Sequence, residues 1–378
     1  MKKPCLLCQN EKRFYKIMSL ENMPSSAQNL PDANNLENEH GEKLDLEQCL
    51  CCGLVQFRCK PVSYYKDVIR SGGTTTTMKE LRMSQYSNFI STFNLNKKKI
   101  IEIGSGRGDF LHFLNDFDVQ AYGIENNIDL VNYAKNNWGC LNVVQAFADE
   151  KCGVIPNGPF DAFLSFNFLE HQPDPNSMMQ AIYDNTTDDA VGLITVPSLE
   201  YILENNGYYE LIKDHIAYYS FETLEFLMNK NGFEVLKKEI VNRDTLSIYV
   251  KKRKHISAER MINNRNLLDL SIKALIDSLG QKKIAIWGAS HQAFTLAATS
   301  KLGKKVSYII DSAEFKQGKY SPASHIKIVP MEHFYIEPVD VILIVAPGYT
   351  EEIYKIIKNK LGNVKIYSLR SSKLEEMA

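Results

Sequence analysis

The most restrictive feature of the sequence is a glycine-rich stretch that directly follows a run of apolar residues. The segment from Ile100 to Phe110 reads Ile-Ile-Glu-Ile-Gly-Ser-Gly-Arg-Gly-Asp-Phe. We expect a buried strand to end at the first glycine and a helix to begin after the last. Glycines let a ligand approach the backbone closely, and a helix N-terminus offers unpaired N–H groups. The stretch therefore predicts a nucleotide-binding turn.

The surrounding sequence alternates short apolar runs with helical patterns. A helix is expected at 78–96 and two more at 108–117 and 128–136. Alternating strands and helices indicate an α/β fold with a doubly wound, mostly parallel sheet. Two further strands with no helix between them, at 233–237 and 245–252, predict an antiparallel hairpin that closes the sheet. The other strands are expected at 99–103, 119–124, 142–146, 160–166 and 191–196.

The alternation begins again after a polar connection and a helix that ends near residue 279. Strands at 284–287, 305–310, 339–345 and 364–368 predict a second, smaller α/β domain. A chain of 378 residues is too long for one ordinary domain. We expect three domains, with boundaries at 1–70, 71–255 and 256–378.

Charge and hydropathy limit the classes of partner. The net charge is −1 and the pI is near 6.7, which gives no electrostatic reason to expect nucleic acid or an anionic membrane. No apolar run approaches the roughly 20 residues that a membrane helix needs. The first residues lack the apolar core of a secretory signal, so we expect a cytoplasmic protein.

The first 60 residues are expected to be irregular and carry two pairs of cysteines. Cys5 and Cys8 form one Cys-x-x-Cys pair, and Cys49 and Cys52 form the other. Four thiolates at this spacing suit tetrahedral zinc, and a site made only of protein ligands is structural. Cys51 is then the surplus thiol. The alternative is that these are unpaired buried cysteines without a metal.

Two carboxylates accompany the glycine-rich turn. Glu102 lies two residues before the first glycine, where it can hold a ligand ammonium group directly or through water. Glu125 ends the next strand about 20 residues later, the placement of a carboxylate that binds ribose hydroxyls. Together with the segment Phe166-Asn-Phe-Leu-Glu-His-Gln-Pro-Asp-Pro175, this pattern resembles the class I methyltransferases, which use S-adenosylmethionine (SAM).

That resemblance supplies a set of candidate cofactor-binding residues. Asn167 is expected to contact the amino-acid end of the methyl donor, and His171 to line the pocket or pack beneath it without a catalytic role. The full set is Glu102, Gly104, Ser105, Gly106, Glu125, Asn126, Phe147 and Asn167.

Over essentially its whole length the chain also resembles the sugar C-methyltransferase family. The resemblance implies a zinc-binding N-terminal domain, a central SAM-dependent methyltransferase domain and a C-terminal Rossmann-like domain that helps to bind a nucleotide-linked sugar. Besides the cysteine pairs, the motifs that carry it are Pro24 to Asn29, Ser71-Gly72…Met78, Val196-Pro-Ser198, Asp214-His215…Tyr218-Tyr219-Ser220 and Asp311…Lys316-Gln-Gly318.

In that family a histidine takes the proton next to a keto group, so that the resulting carbanion attacks the donor methyl group. The resemblance places His215 in this role, with Asp214 beside it and Tyr219 close enough to steady a developing enolate. The chain departs from the family pattern at three points. Ile212 replaces a tyrosine, Asp214 replaces a glutamate, and 242–244 read Asn-Arg-Asp instead of His-Gly-Gly.

Several functions remain open at this point. The first is C-methylation of a nucleotide-linked keto-deoxysugar, and the second is O- or N-methylation of another sugar or small metabolite. A zinc-containing RNA methyltransferase or a catalytically silent binding module is a third possibility. The intact turn and its carboxylates argue against a silent module. The eight basic and eight acidic residues of 1–60 give this region no net charge, which argues against a basic RNA-binding surface. The sequence does not specify the oligomeric state.

Overall fold

A computed structural model describes residues 3–67, 75–370 and 373–377. The chain divides into two compact units, Met1–Lys254 and His255–Ala378, so the first 70 residues share a unit with the central sheet. Ser71 and Gly72, which belong to the family resemblance, lie outside the described residues. No helix in the described parts of the chain is long and apolar enough to cross a membrane.

The first unit contains strands β1 to β11 and helices α1 to α5. The strands are β1 (Phe14–Met23), β2 (Glu42–Cys49), β3 (Val55–Phe57), β4 (Lys99–Ile103), β5 (Gln120–Glu125), β6 (Val143–Gln145), β7 (Phe160–Phe166), β8 (Thr186–Pro197), β9 (Ala217–Tyr218), β10 (Phe233–Val241) and β11 (Thr245–Lys252). The helices are α1 (Thr76–Phe93), α2 (Ile128–Trp138), α3 (Pro175–Asp184), α4 (Leu199–Glu204) and α5 (Phe221–Lys230).

Seven strands form the central sheet in the order β10-β11-β8-β7-β4-β5-β6. Strands β4 to β8 are parallel, and β11 pairs antiparallel with both β8 and β10. The predicted doubly wound sheet and its closing hairpin are thereby confirmed. The strand order reverses between β4 and β7, and in open α/β sheets ligands bind at the carboxyl ends of the strands at such a point.

The apolar run that predicted β4 is buried on both faces of the sheet. Ile101 and Ile103 belong to one hydrophobic cluster and Ile100 to another. Successive side chains of a strand point to opposite faces, so the isoleucines of this one strand serve two cores. This packing holds the end of β4, and with it the glycine-rich turn, in a rigid part of the molecule.

The expectation of an irregular N-terminal region was wrong. Strands β1, β2 and β3 pair antiparallel, and β3 also pairs with β9 to complete a four-stranded sheet. Most residues of β1 are exposed, so its sequence lacks the apolar alternation by which a strand is recognised. The pairing of β3 with β9 ties the cysteine-rich region to the segment that carries His215.

The helix expected at 108–117 is also corrected, because the chain forms only a 3₁₀ helix at Leu111–Asp116. Gly104, Gly106 and Gly108 have φ angles of +70°, +56° and +80°. These left-handed conformations keep the backbone out of the right-handed helical region until Gly108 has passed.

The second unit contains helices α6 to α8 and strands β12 to β17. Its sheet has the order β14-β13-β12-β15-β16-β17 and is parallel except for β17. All four predicted strands are present, and β14 and β17 are additional. The elements are α6 (Glu259–Leu279), β12 (Ile284–Trp287), α7 (His291–Thr299), β13 (Val306–Ile310), β14 (Ile328–Val329), β15 (Val341–Ile344), α8 (Thr350–Lys360), β16 (Lys365–Arg370) and β17 (Lys373–Met377).

Candidate active site

A cavity of about 610 Å³, the central cavity, opens at the carboxyl ends of β4 and β7. It lies where the reversal of strand order places a ligand site. Its wall is formed by Ala27, Gln28, Lys66, Met78, Gly104, Gly106, Phe110, Glu125, Phe166, Asn167, Phe168, Glu170, His171, Pro197, Ile212, Asp214, His215, Asn242, Asp244 and Thr245.

The glycine-rich turn forms one side of the central cavity. The N–H groups of Gly104 and Ser105 both donate to the carbonyl of Ile124 at 3.0 Å, which fixes the turn against β5. A Cβ on Gly104 would lie 2.9 Å from the ring of Phe168, whereas one on Gly106 would meet no atom within 4 Å. Ser105 is fully buried and closes the turn, so Gly104 and Gly106 are the members that present backbone to a ligand.

Glu125 and Glu102 occupy different positions relative to the cavity. Glu125 lines it, and its two carboxylate oxygens accept hydrogen bonds from the N–H groups of Gly106 and Asn127, each at 2.9 Å. Burial raises the pKa of Glu125 above the usual value. Glu102 is fully buried in β4 and is not among the residues of the cavity wall. A direct contact between Glu102 and a ligand ammonium group is therefore not supported by the structure.

A narrow cleft beside the cavity contains two more of the predicted cofactor residues, Asn126 and Phe147. The ring centroid of Phe147 lies 6.1 Å from that of Phe168, and Lys66 Nζ lies 4.3 Å from the Phe147 centroid. The Asn126 amide donates to Asp67 at 2.8 Å. The cleft holds only about 10 Å³, and its lining places aromatic and polar groups next to the carboxylate of Glu125.

Asn167 follows β7, the strand next to β4, and lines the cavity. Its φ of +49° is left-handed, a conformation that asparagine adopts more readily than most residues. Its N–H donates to the Thr195 carbonyl at 2.8 Å, and the Thr195 hydroxyl donates to Asn167 Oδ1 at 3.2 Å. These bonds fix the side chain at the edge where the amino-acid end of a methyl donor is expected.

Two histidines of the cavity wall, His171 and His215, face each other. The rings of His171 and His215 meet edge to face, with centroids 4.7 Å apart. His171 Nδ1 lies 2.8 Å from the carbonyl oxygen of Asp214, and since a carbonyl only accepts, Nδ1 carries the proton. His171 also lines the central cavity, as the sequence predicted.

Both histidines are uncharged at neutral pH. Burial, followed by the neighbouring His171, lowers the pKa of His215 to about 3, and burial lowers the pKa of His171. His215 is thus in the neutral form that can accept a proton, and its lowered pKa makes it a weaker base than a free imidazole.

Asp214 has a different environment from that expected of a proton-transfer group. Its side chain is 3% exposed, and both oxygens accept hydrogen bonds. Tyr64 donates its hydroxyl to Oδ1 at 2.5 Å, and the N–H of Ala27 donates to Oδ2 at 2.9 Å. The carboxylate thus joins two N-terminal segments to the cavity.

The prediction that Tyr219 steadies an enolate at the site is corrected by the position of its side chain. Tyr219 is fully buried in the core cluster that contains Cys5 and Cys49, and its hydroxyl finds no hydrogen-bond partner within the described residues. Tyr218 is also buried, and its hydroxyl both accepts from the N–H of Ile212 and donates to the Ile212 carbonyl. Tyr218 therefore stabilises the loop that presents His215, whereas Tyr219 packs behind it.

Sequence reasoning missed the N-terminal contribution to this site. Ala27 and Gln28 line the cavity, and Tyr64 contacts Asp214 from a sequence distance of 150 residues. The resemblance at Pro24 to Asn29 was the one signal for Ala27 and Gln28. Tyr64 lies in no recognised motif, so no sequence signal identified it.

The four predicted zinc ligands lie together. The sulfurs of Cys5 and Cys52 are 3.4 Å apart, those of Cys8 and Cys49 are 3.5 Å apart, and all four lie within 4.8 Å of one another. Four ligands at a Zn–S distance of about 2.3 Å on a tetrahedron have sulfurs about 3.8 Å apart. The cluster is therefore of a size that fits zinc.

The backbone around these cysteines supports the cluster. Gly53, with a φ of +84°, turns the chain so that its N–H donates to the Cys49 carbonyl. Asn10 Nδ2 donates to the sulfur of Cys49 at 3.7 Å. Cys51 is exposed and does not belong to the cluster.

Comparison with known proteins agrees with this geometry. Residues 78–238 match the family model described as a methyltransferase domain, and residues 242–363 match the model described as a C-methyltransferase C-terminal domain. The chain is 22% identical over 394 residues to the C-methyltransferase NovU of Streptomyces niveus, an alignment that covers 95% of this chain and 93% of that protein.

Similar solved structures include a SAM-dependent methyltransferase from Aquifex aeolicus, 17% identical with a TM-score of 0.36, covering 47% of this chain and 97% of that one. Another is magnesium protoporphyrin IX methyltransferase (ChlM) from Synechocystis PCC 6803 with bound SAH. It is 14% identical with a TM-score of 0.37, and the match covers 47% of this chain and 84% of that one.

The central domain therefore has the class I methyltransferase fold. The chain is a SAM-dependent methyltransferase, with a C-terminal domain similar to those of C-methyltransferases.

Proposed function

We propose that this enzyme methylates a carbon atom of a nucleotide-linked keto-deoxysugar, with His215 as the general base. The observation that carries the proposal is that His215 lies on the wall of the central cavity, which Gly104 and Gly106 of the glycine-rich turn also line. The full-length similarity to NovU, which is named a C-methyltransferase, supports carbon as the acceptor atom.

The donor side of the cavity is assigned to Gly104, Gly106, Glu125, Asn126 and Phe147. Glu125 can accept hydrogen bonds from two ribose hydroxyls, because each carboxylate oxygen retains a lone pair beyond the one used by a backbone N–H. Phe147 supplies an apolar face for the base. When bound, SAM supplies a methyl group on a positively charged sulfur.

The acceptor side is assigned to His171, His215 and the polar residues around them. One ring nitrogen of His215 removes the proton from the carbon next to the keto group, and the C–H electron pair becomes the enolate. The enolate carbon then forms a bond to the methyl group, whose bond electrons leave with sulfur. The imidazolium of His215 finally returns its proton to water. Burial makes the charged form of His215 unfavourable, which disfavours proton abstraction and favours the final release of the proton.

The experiment is to incubate the protein and SAM with dTDP-, GDP- and CDP-linked keto-deoxysugars and to follow product mass. A gain of one methyl group on carbon, together with deuterium uptake at the adjacent carbon in D₂O without SAM, is the expected result. If no member of the panel gains a methyl group and none takes up deuterium, the proposal is contradicted.

A second candidate is O- or N-methylation of another sugar or small metabolite. Asn242 and Asp244, at the first and third positions of the 242–244 segment where the C-methyltransferase pattern has His-Gly-Gly, line the cavity. An amide in place of an imidazole and a carboxylate in place of a glycine change the shape and hydrogen bonding of the acceptor side. A methyl gain without deuterium uptake at carbon would favour this candidate.

We also propose that Cys5, Cys8, Cys49 and Cys52 hold one structural zinc ion. Metal analysis of freshly purified protein should give one zinc per chain, and Cys52→Ser should lose it, because three thiolates bind zinc less tightly than four. Cys51→Ser, at the exposed neighbouring position, is the matched control and should retain the metal. Zinc-free wild-type protein would contradict the site.

A further inference from the structure

The segment of residues 24–29 connects β1 to the rest of the N-terminal region and has no regular secondary structure. It nevertheless has a defined position, because its backbone is hydrogen-bonded to residues far along the chain. The N–H of Ala27 donates to Asp214 Oδ2 at 2.9 Å, and the N–H groups of Ala27 and Gln28 lie 3.1 and 3.2 Å from the Tyr64 hydroxyl. The Tyr64 hydroxyl in turn donates to Asp214 Oδ1.

This segment forms part of the cavity wall. Ala27 and Gln28 line the central cavity together with His171, Ile212 and His215. The glycine-rich turn and Glu125, which belong to the donor side, are held by a separate set of hydrogen bonds to β5 and α2. Loss of the contacts to residues 24–29 would therefore leave the glycine-rich turn and Glu125 intact.

Asp214 connects this wall to the proposed base. Its carboxylate holds residues 24–29 and Tyr64, its backbone carbonyl accepts the proton of His171 Nδ1, and the next residue is His215. With two donors already on its side chain, Asp214 is suited to hold the wall and not to transfer a proton.

We propose that residues 24–29 of the cysteine-rich region form the acceptor-side wall of the cavity, and that Asp214 is the positioning residue that holds them there through Tyr64 and Ala27. The proposal rests on the acceptor binding beside His215, as argued above. It assigns the N-terminal region a part in acceptor recognition besides any metal binding.

The first test needs no acceptor. Hydrogen exchange of the SAH-bound protein is measured by mass spectrometry for wild type, Tyr64→Phe and Asp214→Asn. Exchange should be about tenfold faster or more at residues 27 and 28 in Tyr64→Phe, which loses the hydroxyl that accepts from both N–H groups, and at residue 27 in Asp214→Asn, which loses one of the two carboxylate acceptors that bind Ala27 and Tyr64. Tyr15→Phe removes a hydroxyl from an exposed position of the same region and is the matched control. Unchanged exchange in both variants would overturn the proposal.

The second test separates positioning from chemistry. With the keto-deoxysugar nucleotide that the wild-type enzyme methylates, both variants should raise the acceptor KM about tenfold or more, with kcat changed less and SAH affinity unchanged. Tyr64→Phe combined with Asp214→Asn should cost little more than Asp214→Asn alone, because the two groups act as one unit. A fall in kcat for Asp214→Asn with normal exchange at residues 27 and 28 would show that Asp214 acts in the chemistry, which overturns the proposal.

The outcome of the exchange test does not depend on whether the proposed substrate is correct. If no keto-deoxysugar is methylated by the wild type, the proposed substrate is wrong, whereas the exchange measurement still decides whether Asp214 and Tyr64 hold the wall.

Discussion

The two α/β units each place a carboxylate against a strand-to-helix turn, but they do so in different surroundings. In the central sheet, Glu125 at the end of β5 accepts a hydrogen bond from Gly106 at 2.9 Å. In the second unit, Asp311 follows β13 and accepts one from the N–H of Ala289 at 2.7 Å. The local backbone arrangement is thus nearly the same in both.

The difference lies in what else binds the carboxylate. Lys316 lies 3.2 Å from Asp311 and also donates to the Ala289 carbonyl at 2.9 Å, so a cation of the same unit closes that turn. Glu125 is held by two backbone N–H groups and lines the central cavity. The same strand, turn and carboxylate thus occur in two settings: Asp311 has a lysine as partner, whereas Glu125 is bound by backbone N–H groups and lines a cavity.

The largest effect is expected from His215, which lines the central cavity together with the glycine-rich turn. His215→Gln should slow turnover by roughly 10²–10⁴-fold, the usual contribution of a positioned base, and leave SAH binding unchanged. Single-turnover kinetics and calorimetry measure the two quantities. His255→Gln, at an exposed position, is the control.

The pH dependence of the wild-type rate tests the charge state of His215. Because its pKa is lowered to about 3, His215 stays neutral down to low pH, and the wild-type rate should show no His215 inflection near pH 6.5. Turnover of His215→Gln at the wild-type rate would show that another group takes the proton.

Removal of the two carboxylates compares the turns directly. Glu125→Ala should weaken SAH binding by about 1–3 kcal/mol, or roughly 5- to 150-fold, because ribose hydroxyls lose their acceptor. Asp311→Ala should leave SAH affinity unchanged and lower the melting temperature, since Lys316 and the N–H of Ala289 lose their partner. Calorimetry with each variant measures both. Equal losses of SAH affinity would remove the distinction between the turns.

Much of this comparison was readable from the sequence. Local patterns in the sequence predict the glycine-rich turn, Glu125 and the alternation of strands and helices. The spacing of the cysteines predicts the cluster formed by the two Cys-x-x-Cys pairs. The central sheet accordingly agrees with the prediction, including the antiparallel hairpin formed by β10 and β11.

The remainder depends on contacts that no local pattern encodes. Strand β1 exposes most of its residues, so its pairing with β2 left no periodic signal. The bonds that join Asp214 to Tyr64 and Ala27 span 150 and 187 residues. Tyr219 follows a cavity residue by only five positions, yet it points into the core. Side-chain direction in an irregular segment follows from the packing of the whole unit, and the sequence of that segment does not contain it.

The smallest expected effect comes from a matched pair of glycines, and it separates backbone strain from ligand contact. Gly106 and Gly318 both have a left-handed φ, +56° and +77°, and a Cβ added to either would meet no atom within 4 Å. Alanine at each site should therefore cost a similar free energy of unfolding, about 1–2 kcal/mol, since only the backbone conformation is penalised.

The open space beside Gly106 is the central cavity, where the added methyl group would occupy the volume assigned to the donor. Gly106→Ala should thus weaken SAH binding several-fold, whereas Gly318→Ala should not change it. Denaturant unfolding and calorimetry on both variants decide the matter. If Gly106→Ala bound SAH as tightly as the wild type, the donor would not lie against this turn, and the contrast between the two units would have to rest on Glu125 alone.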